Sequence, residues 1–396
     1  MSYTITLDTT ATLGASAVLL LAGHGVKKLL PALKKFFIPS PVIGGMLFAL
    51  VSLAGHLTDT FAFAFSSDLK DLLMMVFFTS IGFMASAKML KTGGPAVVLF
   101  IIASIMLIFL QNIAGTSVAI IFGENPLLGL ATGSISMSGG HGTSAAFGPE
   151  LEKYGLAGGL SISVACATFG LITGSMIGGP VGRFLLIRKK LKPKAGGNEK
   201  YGPVAGPGTR ITERSLMEGA ICIAMAVAIG TALIRMLKDC DITMPAYLGP
   251  MVIAAIIRNL ADMRKKEISL EAVETIGNIS LQFFLAMALM NLRLWELADL
   301  ALPLLTILFI QTVVTILFAV YVTFNIMGRD YDAAVIACGH CGFAMGATPN
   351  AMANMETFTG ANGKSPKAFF VVPMVGALFI DFINAIAISV GMRIIA

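Results

Sequence analysis

Two glycine-rich stretches carry most of the chemistry that this sequence could perform. One is GSISMSGGHGTSAAFG at 133–148, and the other is CGHCGFAMGATPNAMANM at 338–355. Glycines 139, 140 and 142 allow the backbone to approach a ligand closely and to adopt positive φ, while Ser136, Ser138 and Thr143 supply hydroxyls around His141. In the second stretch Gly346, Thr348, Pro349 and Asn350 take comparable places. A helix that starts at such a turn points free N–H groups and a positive dipole end at a carboxylate. Two opposed turns of this kind suit a small dicarboxylate.

Asp381, in VGALFIDFINAIAI, is the most isolated acidic residue of the chain, and Asn384 lies one helical turn further on the same face. An ionisable side chain inside an apolar span is costly and marks a functional site. It is assigned to a substrate ammonium group or to a cation, against the alternative of a buried structural carboxylate. Gln111, Asn112 and Gln311 also interrupt apolar spans, where interhelical hydrogen bonding explains them equally well. His141 and His340 are read as hydrogen-bonding residues that shape the turns, with proton carriage as the alternative. Cys338-Gly339-His340-Cys341 spells a thiol redox motif, but no alternating strand and helix pattern surrounds it, and its three potential ligands are too crowded for zinc. Neither a redox activity nor a metal other than a coupling ion is expected, and the protein is not read as an enzyme. An antiporter exchanging sodium for protons is the competing transporter reading.

The elements that must position these residues are membrane helices. Of 396 residues 56% are hydrophobic and 13% charged, against about 25% charged in soluble domains. Apolar runs of about 20 residues, the length that crosses a bilayer, recur near 9–30, 41–57, 70–88, 95–122 and 159–187, then 212–237, 243–258, 272–291, 299–325 and 366–393. The two glycine-rich stretches, 126–155 and 331–362, are too interrupted for simple spans. The five cysteines (166, 222, 240, 338 and 341) fall in or beside apolar segments and read as reduced small hydrophobes. The net charge of +6 comes from short basic loops, which excludes a nucleic-acid partner and instead sets topology.

Sliding the second half over the first at a shift of 206 places Pro39 on Pro245, Phe77 and Phe78 on Phe283 and Phe284, and Gly170 on Gly376. At 205, Gly123 falls on Gly328 and Thr143 on Thr348. Five spans per half make the second copy enter the membrane from the opposite side. The expected fold is therefore an all-α membrane protein of two inverted five-helix repeats, 1–187 and 211–396, each with a re-entrant hairpin, joined by a flexible cytoplasmic linker at 188–210. Basic residues after the first, third and seventh spans belong inside, so both termini are expected outside the cytoplasm.

The strings SGGHGT at 138–143, GHCGFAMGATPNAMANM at 339–355 and FVVPMVGALFIDFINA at 370–385, with PSPVIGG at 39–45 and NISLQFFLAMALMNLRLWELA at 278–298, resemble the sodium/glutamate symporter family over the full length. Ala344 stands where the family pattern has glycine. The resemblance implies sodium-driven uptake of L-glutamate across a bacterial inner membrane, by a homodimer whose transport domain moves like an elevator. Na⁺ is then the coupling ion, with no other cofactor. Its ligands should be hard oxygens, for which Ser134, Gly342, Asp381 and Asn384 are candidates, their individual roles staying open.

Overall fold

The computed structural model describes residues 3–192, 211–239, 245–297 and 300–395. The linker expected at 188–210 lies mostly outside the described residues, as does Cys240. The chain begins with strand β1 (Tyr3–Leu7), helices α1 (Thr9–Leu29), α2 (Pro31–Lys35) and α3 (Ser40–Leu57), strand β2 (Phe61–Phe65), then α4 (Asp68–Met84) and α5 (Ala87–Ile121). Next come α6 (Leu127–Leu130) with a π-helical turn (Ala131–Ile135), α7 (Gly140–Lys153) and α8 (Gly159–Lys189). The second half holds α9 (Glu213–Asp239), α10 (Leu248–Met263), α11 (Leu270–Leu289) and α12 (Ala301–Phe318), which runs through a π turn into α13 (Phe324–Ile326). It ends with α14 (Tyr331–Ala344), α15 (Thr348–Asn362), α16 (Pro366–Val375), a third π turn (Gly376–Ile380) and α17 (Asp381–Ile395).

Helix starts follow local chemistry. Asp8 and Asp330 accept the backbone N–H three residues on, at 2.8 and 3.0 Å, and so cap α1 and α14. Prolines open α15 and α16 at positions where their missing N–H costs nothing. Among the described residues seven helices are long and apolar enough to cross a membrane, and the chain is a multi-pass membrane protein. The departure from an all-helical expectation is the small parallel pairing of β1 with β2, Tyr3 opposite Phe61. The alternation Phe-Ala-Phe-Ala-Phe is a period of two, which a strand satisfies and a helix does not.

The chain divides into two compact units, each drawing on both halves of the sequence. The first comprises Met1–Phe83, Ala145–Ile162 and Ile211–Ala301, and the second Met84–Ser144, Ser163–Arg210 and Leu302–Ala396.

Glycines let the helices of the first unit touch backbone to backbone. A methyl group at Gly44 would lie 2.1 Å from the Leu19 carbonyl oxygen, and one at Gly249 would lie 2.3 Å from that of Gly230, so α3 packs on α1 as α10 packs on α9. A reciprocal pair joins the halves: Gly82 of α4 meets Met251 of α10, and Gly45 of α3 meets Leu289 of α11. The helix bounds themselves recur at a spacing near 206 from α1 and α9 through to α8 and the pair α16–α17.

The second unit has its apolar core along α14, where Ala333–Ala337, Cys338 and Cys341 are fully buried against Phe100, Ile108, Val371, Val372 and Val375. Among the described residues, the three π turns all lie in this unit. Such turns loosen the helical ladder and often mark functional positions.

Candidate functional site at two meeting helix breaks

The second glycine-rich stretch folds back on itself. A methyl group at Gly342 would come within 2.8 Å of the Ala351 nitrogen and one at Gly339 within 2.7 Å of Met355 Sδ, so α14 and α15 run antiparallel from a break at 345–347. The Tyr331 ring stacks on Phe358 with centroids 6.2 Å apart and closes the open end. Two asparagines one turn apart then fasten α15 to α8: Asn350 Nδ2 donates to the Leu171 carbonyl at 2.9 Å and Asn354 Nδ2 to that of Gly174 at 2.8 Å.

In the first stretch the chain leaves helical geometry at Gly133 (φ −92°, ψ −132°), and re-enters it at Gly140, whose φ is +62°. The backbone of Ser134 between them is held from two sides. Its N–H donates to Asn112 Oδ1 of α5 at 2.8 Å, and its carbonyl accepts Asn384 Nδ2 of α17 at 3.0 Å. Beyond the break α7 runs antiparallel to α8, with His141 Nε2 and Thr168 Oγ1 3.0 Å apart and Ser144 Oγ donating to the Ser163 carbonyl at 3.1 Å.

The two breaks meet inside the second unit. A methyl group at Gly140 would lie 2.9 Å from the Gly346 carbonyl oxygen. Gln111 ties them together, its Nε2 donating to the Ala344 carbonyl at 2.9 Å while its Oε1 accepts Ser138 Oγ at 2.8 Å. Gln311 donates in turn to the Gln111 carbonyl at 2.7 Å. The first turns of α7 and α15 therefore start beside one another. Helix starts leave N–H groups without intrahelical partners and carry positive partial charge, so their convergence favours an anion.

On the breaks and the residues bonded to them, several fully buried polar atoms make no hydrogen bond: Ser134 Oγ, Asn384 Oδ1, Asn350 Oδ1 and Gln311 Oε1, while Thr315 Oγ1 and His340 Nε2 are likewise unpartnered elsewhere in the unit. A buried polar group without a partner costs about 1–3 kcal/mol, so such a cluster calls for a ligand or solvent. Two of the oxygens, on Ser134 and Asn384, belong to residues already in contact. Asp381 opens α17 directly after the third π turn, half-buried, with no hydrogen bond or ion pair among the described residues.

The sodium/glutamate symporter family matches residues 5–364 of this chain. A sodium/glutamate symporter of Escherichia coli (strain K12) is 43% identical over 394 residues, 98% of each chain, and one of Haemophilus influenzae is 40% identical over 403 residues, covering 100% of this chain and 99% of the relative. The chain belongs to the sodium/glutamate symporter family. Members and relatives are transporters, and transport rather than catalysis is its class of activity.

For this member of the symporter family, the structure gathers most of the residues that the sequence singles out. Ser134, Ser136, Ser138, Gly139, Gly140, Gly142, Thr143, Gly342, Gly346 and Asn350 lie at or within about a turn of the breaks. Gly139 is required by packing, since a methyl group there would strike Thr143 and the Ile135 carbonyl at 2.6–2.8 Å. Thr348 is half-buried, with its Oγ1 against Gly376, whereas Pro349 is exposed and serves the start of α15. His141 is 5% exposed and His340 1%, the second ring enclosed by Phe100, Phe318 and Phe343 with its Nδ1 2.8 Å from Thr323 Oγ1. Each ring has one nitrogen at hydrogen-bond distance from a threonine hydroxyl of another element, Thr168 on α8 for His141 and Thr323 in the π turn after α12 for His340. Cys338 and Cys341 are buried and free in the middle of α14 rather than at a helix start.

Sequence reasoning left Gln111, Asn112 and Gln311 undecided and missed Asn354 and Thr168. The signal for the first three is visible as amides interrupting apolar helices. Their assignment required knowing which carbonyls face them.

Proposed function

We propose that the protein is a secondary active transporter that couples the entry of L-glutamate to that of Na⁺ by moving its second unit, elevator-fashion, across the membrane. The observation that carries this reading is the contact between Gly140 and Gly346, which brings two helix starts together in a chain of the sodium/glutamate symporter family. The substrate carboxylates face the first turns of α7 and α15, with Ser136, Ser138, His141, Gly142, Thr143, Thr348 and Asn350 around them. Asp381 receives the ammonium group. Na⁺ is held by oxygens of Ser134 and Asn384, both of which have a side-chain oxygen without a partner, together with carbonyls near Gly342.

The repeats are inverted. This reading is supported by two contacts between residues 206 positions apart, Ser138 with Ala344 and Gly140 with Gly346, the spacing at which the halves align. Equivalent residues meet only near a two-fold axis, and the reciprocal pairs Gly82–Met251 and Gly45–Leu289 obey the same relation. Five spans per repeat make that axis lie in the membrane plane. The breaks are the tips of re-entrant hairpins, a backbone irregularity tolerated at membrane depth only where protein or a cavity satisfies it. The protein sits in the inner membrane as a homodimer with both termini outside the cytoplasm. Glutamate carries one net negative charge, so coupling that draws on the membrane potential, worth about 2.3 kcal/mol per charge per 100 mV, needs at least two Na⁺ per substrate.

The test is uptake of radiolabelled L-glutamate into liposomes with an inward Na⁺ gradient, compared with K⁺ in its place. Accumulation that needs Na⁺ and increases with an inside-negative potential supports the reading. Uptake indifferent to Na⁺, or Na⁺-driven proton flux without an amino acid, would replace it with the antiporter.

A further inference from the structure

A groove of about 560 Å³ runs along the C-terminal half of α8, lined by Gly179, Pro180, Arg183, Phe184 and Ile187. Its notch lies at Gly179, where an added methyl group would touch nothing within 4 Å. Phe184 and Ile187 form an apolar wall, 43% and 64% exposed. Arg183 is exposed within this wall and makes no ion pair or hydrogen bond among the described residues. It stands six residues, about 9 Å along the axis, before the end of α8, close enough for its side chain to reach the headgroup level. Arg188 lies over the Phe184 ring at 5.5 Å, and Lys189, Lys190 and Lys192 follow, with no Asp or Glu anywhere from 153 to 197.

A guanidinium unpaired among the described residues, set in an apolar wall beside a run of basic residues in a stretch of sequence without Asp or Glu, complements a molecule with an anionic head and a hydrocarbon tail. We propose that this groove is a binding site for an anionic phospholipid of the phosphatidylglycerol class. The planar guanidinium of Arg183 meets the phosphodiester with two parallel donors, Arg188 and Lys189 add positive potential at the headgroup, and an acyl chain lies on Phe184 and Ile187. A phosphatidylcholine offers the same phosphate, but its cationic head meets the basic end of α8 and is disfavoured. A soluble phosphate lacks the tail that the wall accepts.

The experiment reads binding and does not depend on transport. Delipidated protein in detergent is titrated with dioleoylphosphatidylglycerol and with dioleoylphosphatidylcholine, bound lipid being counted by native mass spectrometry, then again in the presence of inorganic phosphate. The expected result is at least fivefold preference for the anionic lipid, undiminished by phosphate at matched ionic strength. Arg183→Gln should lose about fivefold in affinity, the equivalent of about 1 kcal/mol for one basic residue at an anionic surface, and Arg183→Lys should lose less. Equal binding of the two lipids, displacement by inorganic phosphate, or an unchanged preference in a folded Arg183→Gln protein would each overturn the proposal. The wild-type titrations need no variant, so a substitution that failed to fold would leave the test standing.

Discussion

Asn384 donates its side-chain amide to the carbonyl of Ser134, 3.0 Å away and 250 residues earlier in the chain. The bond ties the last helix to the first backbone break and leaves Asn384 Oδ1 and Ser134 Oγ buried without partners. A buried amide oxygen and a buried hydroxyl left without partners on two touching residues call for a further ligand. Its placement fits a hard cation.

Replacing either residue should therefore act on the ion. Asn384→Ala and Ser134→Ala are expected to raise the Na⁺ concentration for half-maximal uptake about tenfold, a loss of about 1.4 kcal/mol, with a smaller change in the apparent glutamate affinity at saturating Na⁺. The Na⁺ dependence of initial uptake rates checks this, and an unchanged curve in both variants would remove the pair from the ion site.

Gly140→Ala combines a left-handed backbone with a methyl group 2.9 Å from Gly346. The conformation alone costs about 1–2 kcal/mol. Transport should fall at least a hundredfold, whereas Gly155→Ala, also at positive φ (+95°) but with open space around it, should lose stability and keep most of its uptake.

Gln111→Leu removes the donor to the Ala344 carbonyl and the acceptor of Ser138. The two groups are then left with only the long 3.5 Å contact between Ser138 Oγ and the Ala344 carbonyl, and a buried polar group poorly paired costs about 1–3 kcal/mol. A lower midpoint of thermal unfolding in detergent, accompanied by weaker glutamate uptake, is the expected outcome; a stable variant with normal uptake would show that the two breaks do not depend on this amide.

Asp381 is a different case, because no hydrogen bond or ion pair holds it among the described residues. If its carboxylate receives the substrate ammonium, Asp381→Asn should bind glutamate about tenfold more weakly and bind glutarate, which lacks the ammonium, no worse than the parent does. Competition assays against labelled glutamate separate this from a general loss of folding, in which both ligands weaken together.

Cys338 and Cys341 are buried and unpaired on α14. Replacement of both by Ser should leave Na⁺-driven uptake within about twofold of the parent. Abolished uptake by a folded double variant would reopen a thiol chemistry at this motif.

The extent to which the fold was legible differs from element to element for a physical reason. The apolar run read at 9–30 is helix Thr9–Leu29, and the run read at 212–237 is Glu213–Asp239. A span must satisfy all its backbone hydrogen bonds within itself, so its bounds are a local property of composition and length. The glycine-rich stretches were legible as interruptions for the same reason. The short strands were not, since Phe61–Phe65 alternates apolar with small residues and acquires its pairing only from Tyr3–Leu7, more than fifty residues away.

The sequence by itself determined that this is a multi-pass membrane protein of a transporter family and identified the two stretches where its helices fail. Composition, span length and the 206-residue spacing are written along the chain and need no partner to be read. Tertiary structure decided what those stretches do to one another. Only packing brought Gly140 against Gly346, turned Gln111 from a polar interruption into the link between two breaks, and left the oxygens of Ser134 and Asn384 buried and unsatisfied. A hydrogen bond between residues 206, 233 or 250 positions apart depends on distances that no local pattern encodes.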